Sequence, residues 1–189
     1  MDSEVRVRTF LALPLAPLFH SDISTLLKEM KRIHPSVRWI DPDKVHITLH
    51  FFGSISELSV QEILTIVPPI ASQTKPFKLF LEDMGAFPNL QRPRVIWIGV
   101  KGETEALGNL QESLEEKLKE HGFPCEERDF KPHLTIGRIK EGGRLLEALS
   151  TAFGPTDSKI LREIVLFKSD LTREGPRHEA IETFHFSAS

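Results

Sequence analysis

Lys44-Val45-His46-Ile47-Thr48-Leu49-His50-Phe51-Phe52, residues 44–52, is the stretch on which the fold turns. It follows the turn signal Asp41-Pro42-Asp43 and alternates in character up to Gly53, where the strand is expected to stop. Successive side chains of a strand point to opposite faces, so His46, Thr48 and His50 share one face and Val45, Ile47, Leu49 and Phe51 the other. The apolar set buries; the polar set lines a surface or cleft. A second stretch, Lys131-Pro132-His133-Leu134-Thr135-Ile136-Gly137-Arg138, repeats the pattern, with Lys two residues before His and then aliphatic, Thr, aliphatic. The repeat predicts two pseudo-equivalent lobes.

Outward from these strands, Val5–Leu13 alternates as a strand. Ile23, Leu26, Leu27 and Met30 give a helix over Ser21–Ile33, capped by Ser21 or Asp22. A helix over Ser59–Gln73 must break or kink at Pro68-Pro69. Phe77, Leu79 and Leu81 form a strand, residues 85–93 a loop, and Arg94–Val100 a strand. Leu107, Leu110, Leu114 and Leu118 stripe a helix over Thr104–His121 that ends at Gly122. Lys131–Ile139 is a strand, and a short helix spans Leu145–Phe153. Two final strands, Lys159–Leu171 and Arg177–Ser187, join through Gly175-Pro176. Strands adjacent in sequence without helices between them predict antiparallel pairing, hence an α+β fold.

The chain has 189 residues, room for one domain, and its 40% hydrophobic and 27% charged content argues against disorder. The single cysteine, Cys125, excludes an internal disulfide framework and a Cys-rich zinc module, and predicts a reducing, cytoplasmic setting. The apolar run near the N-terminus is short and interrupted by Pro14 and Pro17, which reads as a strand entering a loop and not as a signal peptide. No window approaches the roughly 20 apolar residues of a spanning helix. A formal charge of −3 argues against a binder of long duplexes but leaves room for a substrate with one or two phosphates. The absence of tyrosine removes phenol chemistry.

Positions i and i+2 on a strand lie about 6.5–7 Å apart, so one His and one Thr can touch different atoms of a small anion. Two such strands face to face hold a phosphate between them. The hydroxyls of Thr48 and Thr135 then donate to non-bridging oxygens, and the two imidazoles flank the phosphorus. An imidazole pKa of about 6.5 lets one ring be neutral and one protonated, so one takes a proton from water and the other gives a proton to the leaving alkoxide. No metal is needed. His46 and His50 stand about 13 Å apart on a regular strand, too far to share an ion, and Thr beside each histidine is a poor partner for a phosphohistidine.

The paired motifs His46-Ile47-Thr48-Leu49 and His133-Leu134-Thr135-Ile136 resemble those of the two-histidine (2H) phosphoesterases. The nearest likeness is to the RNA 2′,3′-cyclic phosphodiesterases, also called 2′-5′ RNA ligases. The similarity extends to RTFLALPL, RWIDPDKVHITLHFFG, PRVIWIGV, KPHLTIGR and IVLFKSDL. It implies a bilobal α+β fold over residues 1–189, each lobe supplying one motif to a central cleft. It implies opening of a 2′,3′-cyclic phosphate to a 2′-phosphomonoester with no cofactor, on RNA ends or nucleotides; a monomer is expected. His46 would protonate the leaving O3′ and His133 would activate water. Where family members often carry Tyr, this chain has His178. The alternatives are 2′-5′ ligation in the same site, or a module that binds a nucleotide phosphate without turnover.

Other residues carry weaker signals. Phe10 reads either as a base-stacking platform or as core. Arg138 points away from His133 and Thr135 unless the strand bulges. Arg6, Arg8, Arg173 and Arg177 form a basic rim or are merely solvated. His50 lies at the cleft edge or has a structural role. Trp39 and Trp97 read as packing, Cys125 as a small buried hydrophobe, and His20, His34, His121 and His185 as surface residues.

Overall fold

The computed structural model describes residues 5–125, 129–139, 153–172 and 175–187. Its elements are β1 (Arg6–Pro14), α1 (Ala16–Ile33), β2 (Arg38–Trp39), a 3₁₀ turn (Pro42–Lys44) and β3 (His46–Ser56). There follow α2 (Glu57–Gln73), β4 (Phe77–Phe87), β5 (Val95–Gly102), α3 (Thr104–Glu120), β6 (His133–Arg138), β7 (Lys159–Leu161), β8 (Glu163–Thr172) and β9 (Gly175–His185).

The strands form two sheets, in the orders β3-β1-β8-β9 and β2-β6-β5-β4-β7, with every pairing antiparallel. Apart from the short edge strand β2, the second sheet repeats the first, with β6 matching β3, β5 matching β1, β4 matching β8 and β7 matching β9. The expected α+β fold with two related lobes is therefore what the chain adopts. The lobes exchange strands: β4, from the first half of the chain, lies in the second sheet, and β8, from the second half, lies in the first. One contiguous core joins them, with Leu11, Leu13 and Ile47 of the first sheet, Ile96, Ile98 and Leu134 of the second, and the apolar faces of α1, α2 and α3. No helix among the described residues is long and apolar enough to cross a membrane.

Several boundaries differ from expectation. The first helix begins at Ala16, five residues before the expected caps, because Pro17 falls in the first turn, where a missing N–H costs nothing and the fixed φ favours the helix. Neither Ser21 nor Asp22 caps it. α2 is not broken by Pro68 and Pro69; Val67 and Ala71, buried to either side, hold it against the core, and Ser56 caps it by accepting from the Ser59 amide. The expected loop 85–93 begins later, since Gly85, Ala86 and Phe87 complete β4, opposite Trp97, Ile96 and Val95. Lys159–Leu171 is two strands, not one, divided at Arg162 between the two sheets. The helix expected over Leu145–Phe153 lies outside the described residues except for Phe153, which is not helical.

Gly53 does not end β3. With φ +71 it carries the strand through a bulge at Phe52, as the pairing jumps from Phe10↔Phe51 to Thr9↔Gly53. A Cβ in that conformation costs about 1–2 kcal/mol. Gly53→Ala should lower the unfolding free energy by that amount, and Gly53→Asn by less. Urea unfolding of the two variants beside the parent checks this, and equal midpoints for all three would contradict it.

Candidate active site

His46 and His133 begin β3 and β6, strands from different sheets that lie against each other. Each ring is fixed in the same way. His46 Nδ1 donates to the carbonyl of Lys44 at 2.8 Å, and His133 Nδ1 donates to the carbonyl of Lys131 at 2.7 Å. A carbonyl only accepts, so Nδ1 bears the hydrogen in both rings and each Nε2 is left to exchange a proton. The lysine shared by the two motifs thus contributes its backbone oxygen at this point.

Both strands bulge at the last motif residue. In β3 the pairing passes from Ala12↔Thr48 to Leu11↔His50, skipping Leu49. In β6 it passes from Trp97↔Thr135 to Ile96↔Gly137, skipping Ile136. A bulge inverts the alternation beyond it. Leu49 and Ile136 therefore stay buried, and so do the residues after them, His50 and Gly137. The next residues, Phe51 and Arg138, return to the face of the histidines and threonines.

This corrects the simple alternation for Phe51, which is 43% exposed instead of buried, and for His50, which is 4% exposed and faces away from His46. His50 Nδ1 lies 2.7 Å from Glu115 Oε1 of α3, a structural contact between β3 and the helix beneath it. Arg138 meets the bulge condition and comes near enough to His46 to repel a proton there.

The floor under His46 is aromatic. The Phe10 ring lies 4.9 Å from the His46 ring and 5.3 Å from Phe167, and His178 stands edge-on to Phe10 and His46 at 5.0 and 5.5 Å. At 4% exposure Phe10 is covered by these rings, so it supports His46 and is not an open stacking platform. Under His133 the arrangement recurs with Phe87, edge-on at 5.1 Å, and Trp97 beside Phe87 at 5.5 Å. Trp97 pairs with Thr135 and so shares the site's face, a place that the packing reading did not give it. Gly137 permits close packing behind this strand, where a Cβ would meet the Trp39 ring at 2.9 Å.

Burial lowers the His46 pKa to about 4; the bond to Lys44 opposes this, and the charges of His178 and Arg138 add to it. His178 is lowered as well, by burial and then by Lys44 and Arg8. Burial and nearby positive charge thus both disfavour protonation of His46 and His178.

The remaining candidates, apart from Arg8 with its effect on His178, lie away from the histidine pair. His20, His121 and His185 sit beside Asp43, Glu62 and Glu163 at 3.1, 2.9 and 3.2 Å. Arg6, Arg8 and Arg177 are exposed, and Arg173 lies outside the described residues. Burial pushes the half-buried Cys125 thiol up to about 11, and it donates to the Glu115 carbonyl at 3.4 Å. His50, Glu115 and Cys125 place ligand-type atoms within 4.8 Å of one another, on the far side of β3 from His46. His50 Nδ1 and Glu115 Oε1 pair with each other, Cys125 donates to the Glu115 backbone, and His50 Nε2 and Glu115 Oε2 are buried without a hydrogen-bond partner.

The model of the 2′-5′ RNA ligase superfamily matches residues 21–170, most of the chain and both motifs. The chain belongs to this superfamily. It is 33% identical over 185 residues to the RNA 2′,3′-cyclic phosphodiesterase of Methanothermobacter thermautotrophicus, covering 95% of this chain and 99% of that relative. It is 36% identical over 183 residues to the enzyme of the same name from Archaeoglobus fulgidus, covering 94% and 99%. Among solved structures it superposes on TT0787 of Thermus thermophilus with a TM-score of 0.81 at 24% identity, covering 95% and 97% of the two chains. The fold is also that of E. coli LigT, with a TM-score of 0.77 and 21% identity for its complex with 3′-AMP, covering 97% of this chain and 100% of that one.

The lowered His46 pKa has a consequence for stability. Between about 4 and the ordinary 6.5 the unfolded chain binds a proton at this position that the folded chain does not. The contribution is complete above pH 6.5 and is lost as the pH falls to about 4, amounting to about 3 kcal/mol. Urea unfolding at pH 7, 5.5 and 4.5 should show the stability difference between the parent and His46→Gln shrinking as the pH falls. A difference that does not vary with pH would contradict the buried, neutral ring.

Proposed function

We propose that this protein hydrolyses 2′,3′-cyclic phosphates of RNA or nucleotides to 2′-phosphomonoesters, with His46 and His133 as the acid–base pair and no metal. The observation that carries this reading is the matched presentation of the two imidazoles. Each has Nδ1 tied to the carbonyl two residues before it, and each has a Thr two residues after it on a strand bulged at the same place. The curated relatives named as RNA 2′,3′-cyclic phosphodiesterases support the substrate class. A fold neighbour that binds 3′-AMP supports a nucleotide-sized cleft.

In this mechanism His133 Nε2 takes a proton from water as the water oxygen attacks phosphorus. The P–O3′ bond breaks, and O3′ receives the proton from His46 Nε2–H. Thr48 and Thr135 donate to the non-bridging oxygens, where charge builds in the five-coordinate state. The assignment of acid to His46 comes from the family resemblance, and it requires a protonated ring where the ligand-free ring is neutral. The substrate supplies the difference: an anionic phosphodiester beside His46 offsets the repulsion from His178 and Arg138 and raises its proton affinity. Binding then takes up a proton at His46.

Ligation is the same displacement with a 5′-hydroxyl in place of water: its oxygen attacks phosphorus, the P–O3′ bond breaks, O3′ takes the proton from His46, and a 2′-5′ linkage forms. The name of the matching superfamily favours testing for it. In bulk water hydrolysis dominates.

His46→Ala and His133→Ala should each lower kcat on a 2′,3′-cyclic mononucleotide by about 10²–10⁴-fold while remaining folded. Thr48→Val or Thr135→Val should cost about 10²-fold. Excess chelator should leave the parent rate unchanged, and analysis of the product should give the 2′-phosphate. Parent-like turnover by both histidine variants would end the proposal.

The proton balance is read separately, by NMR of the His46 ring. Its pKa should be near 4 in the free protein and should rise on addition of a 2′-nucleotide. A ring that stays neutral at pH 6 in the complex would exchange the roles of His46 and His133.

A further inference from the structure

We propose that a second nucleotide subsite adjoins the histidine pair, in which Phe51 stacks the base of the nucleotide preceding the terminal one and Arg8 holds the phosphate joining the two. The inference rests on the cyclic phosphodiesterase reading and deepens it. The preferred substrate becomes a single-stranded RNA end, and a mononucleotide fills only part of the groove.

The bulge at Leu49 turns Phe51 onto the face of His46 and Thr48. Phe51 pairs directly with Phe10, whose ring lies against His46 and His178. Phe51 is four strand positions from His46, measured on the partner strand from Pro14 to Phe10, a backbone separation of about 13 Å. A backbone separation of that order leaves room for one nucleotide between the phosphate and the next base. The Arg8 guanidinium lies over the Phe51 ring at 4.8 Å from its centroid. A ring with a cation on one face that is still 43% exposed turns its remaining surface to solvent. Among the described residues Phe51 is the only aromatic one among the large, exposed apolar side chains.

Arg8 itself is exposed, and it lies near enough to His178 to lower that residue's proton affinity, so its charge reaches into the groove between Phe51 and the histidines. An exposed aromatic beside a cation, continuous with a phosphate site, is the arrangement that binds single-stranded nucleic acid: every base offers a π-face and every linkage a negative charge. The guanidinium fork suits two oxygens of one phosphodiester.

The test compares kcat/KM for three substrates: a 2′,3′-cyclic mononucleotide, the same nucleotide extended by one residue on its 5′ side, and that dinucleotide with an abasic preceding residue. The parent should favour the dinucleotide about tenfold and lose most of that gain with the abasic substrate. Phe51→Ala should lower the dinucleotide-to-mononucleotide ratio about fivefold or more, through KM, and Phe51→Trp should restore it. Arg8→Gln should lower the ratio and weaken its dependence on salt. A parent ratio near one, or an unchanged ratio in Phe51→Ala, overturns the subsite.

If the parent turns over neither cyclic substrate, it is the activity reading that fails. Calorimetric binding of a 2′-phosphorylated mononucleotide and dinucleotide to the parent and Phe51→Ala then decides the subsite. Tighter binding of the dinucleotide, lost in Phe51→Ala, upholds it; equal affinities reject it.

Discussion

Leu49 and Ile136 each sit in a β-bulge, and each keeps its apolar side chain in the core while the residue after it is also turned inward. Without the bulge a strand alternates strictly, and the cleft face would receive His46, Thr48 and His50 from one lobe and His133, Thr135 and Gly137 from the other. With it, the third contribution becomes Phe51 on one side and Arg138 on the other. The bulge also puts His50 in the core, where its contact with Glu115 ties β3 to α3. One extra residue in each ladder thus decides which side chains share the face of the two histidines.

The bonds from His46 and His133 to the carbonyls of Lys44 and Lys131 work with this geometry. They orient both rings and select one tautomer, so neither needs a carboxylate partner to hold it. A carboxylate would bring negative charge beside the rings, against the anionic substrate that the proposed reaction requires. The charges that do reach the site, from Arg138, Lys44 and Arg8, are positive. They disfavour protonation of His46 and His178.

Much of this was legible in the sequence because a period of two is a strong signal. The strand placements, the pairing of His46 with Thr48 and of His133 with Thr135, the leucine stripe of α3 and the antiparallel α+β class all follow from local alternation or helical spacing. What alternation cannot register is a bulge, since one unpaired residue leaves no mark in composition; strict alternation therefore places Phe51 and His50 on the wrong faces and points Arg138 away from the histidines. The support of His46 by Phe167, and of His133 by Phe87, comes from strands distant in sequence and depends on sheet order. Pro68 and Pro69 show tertiary burial overriding local propensity, and the division at Arg162 shows a single alternating run serving two sheets.

The exchange of β4 and β8 between the sheets bears on how the cleft behaves. Each sheet holds strands from both halves of the polypeptide, so the chain crosses from wall to wall and one apolar core runs beneath both. Parting the walls would expose that core to water, so what keeps them together is packing, and a substitution deep in the core could loosen the cleft without touching it.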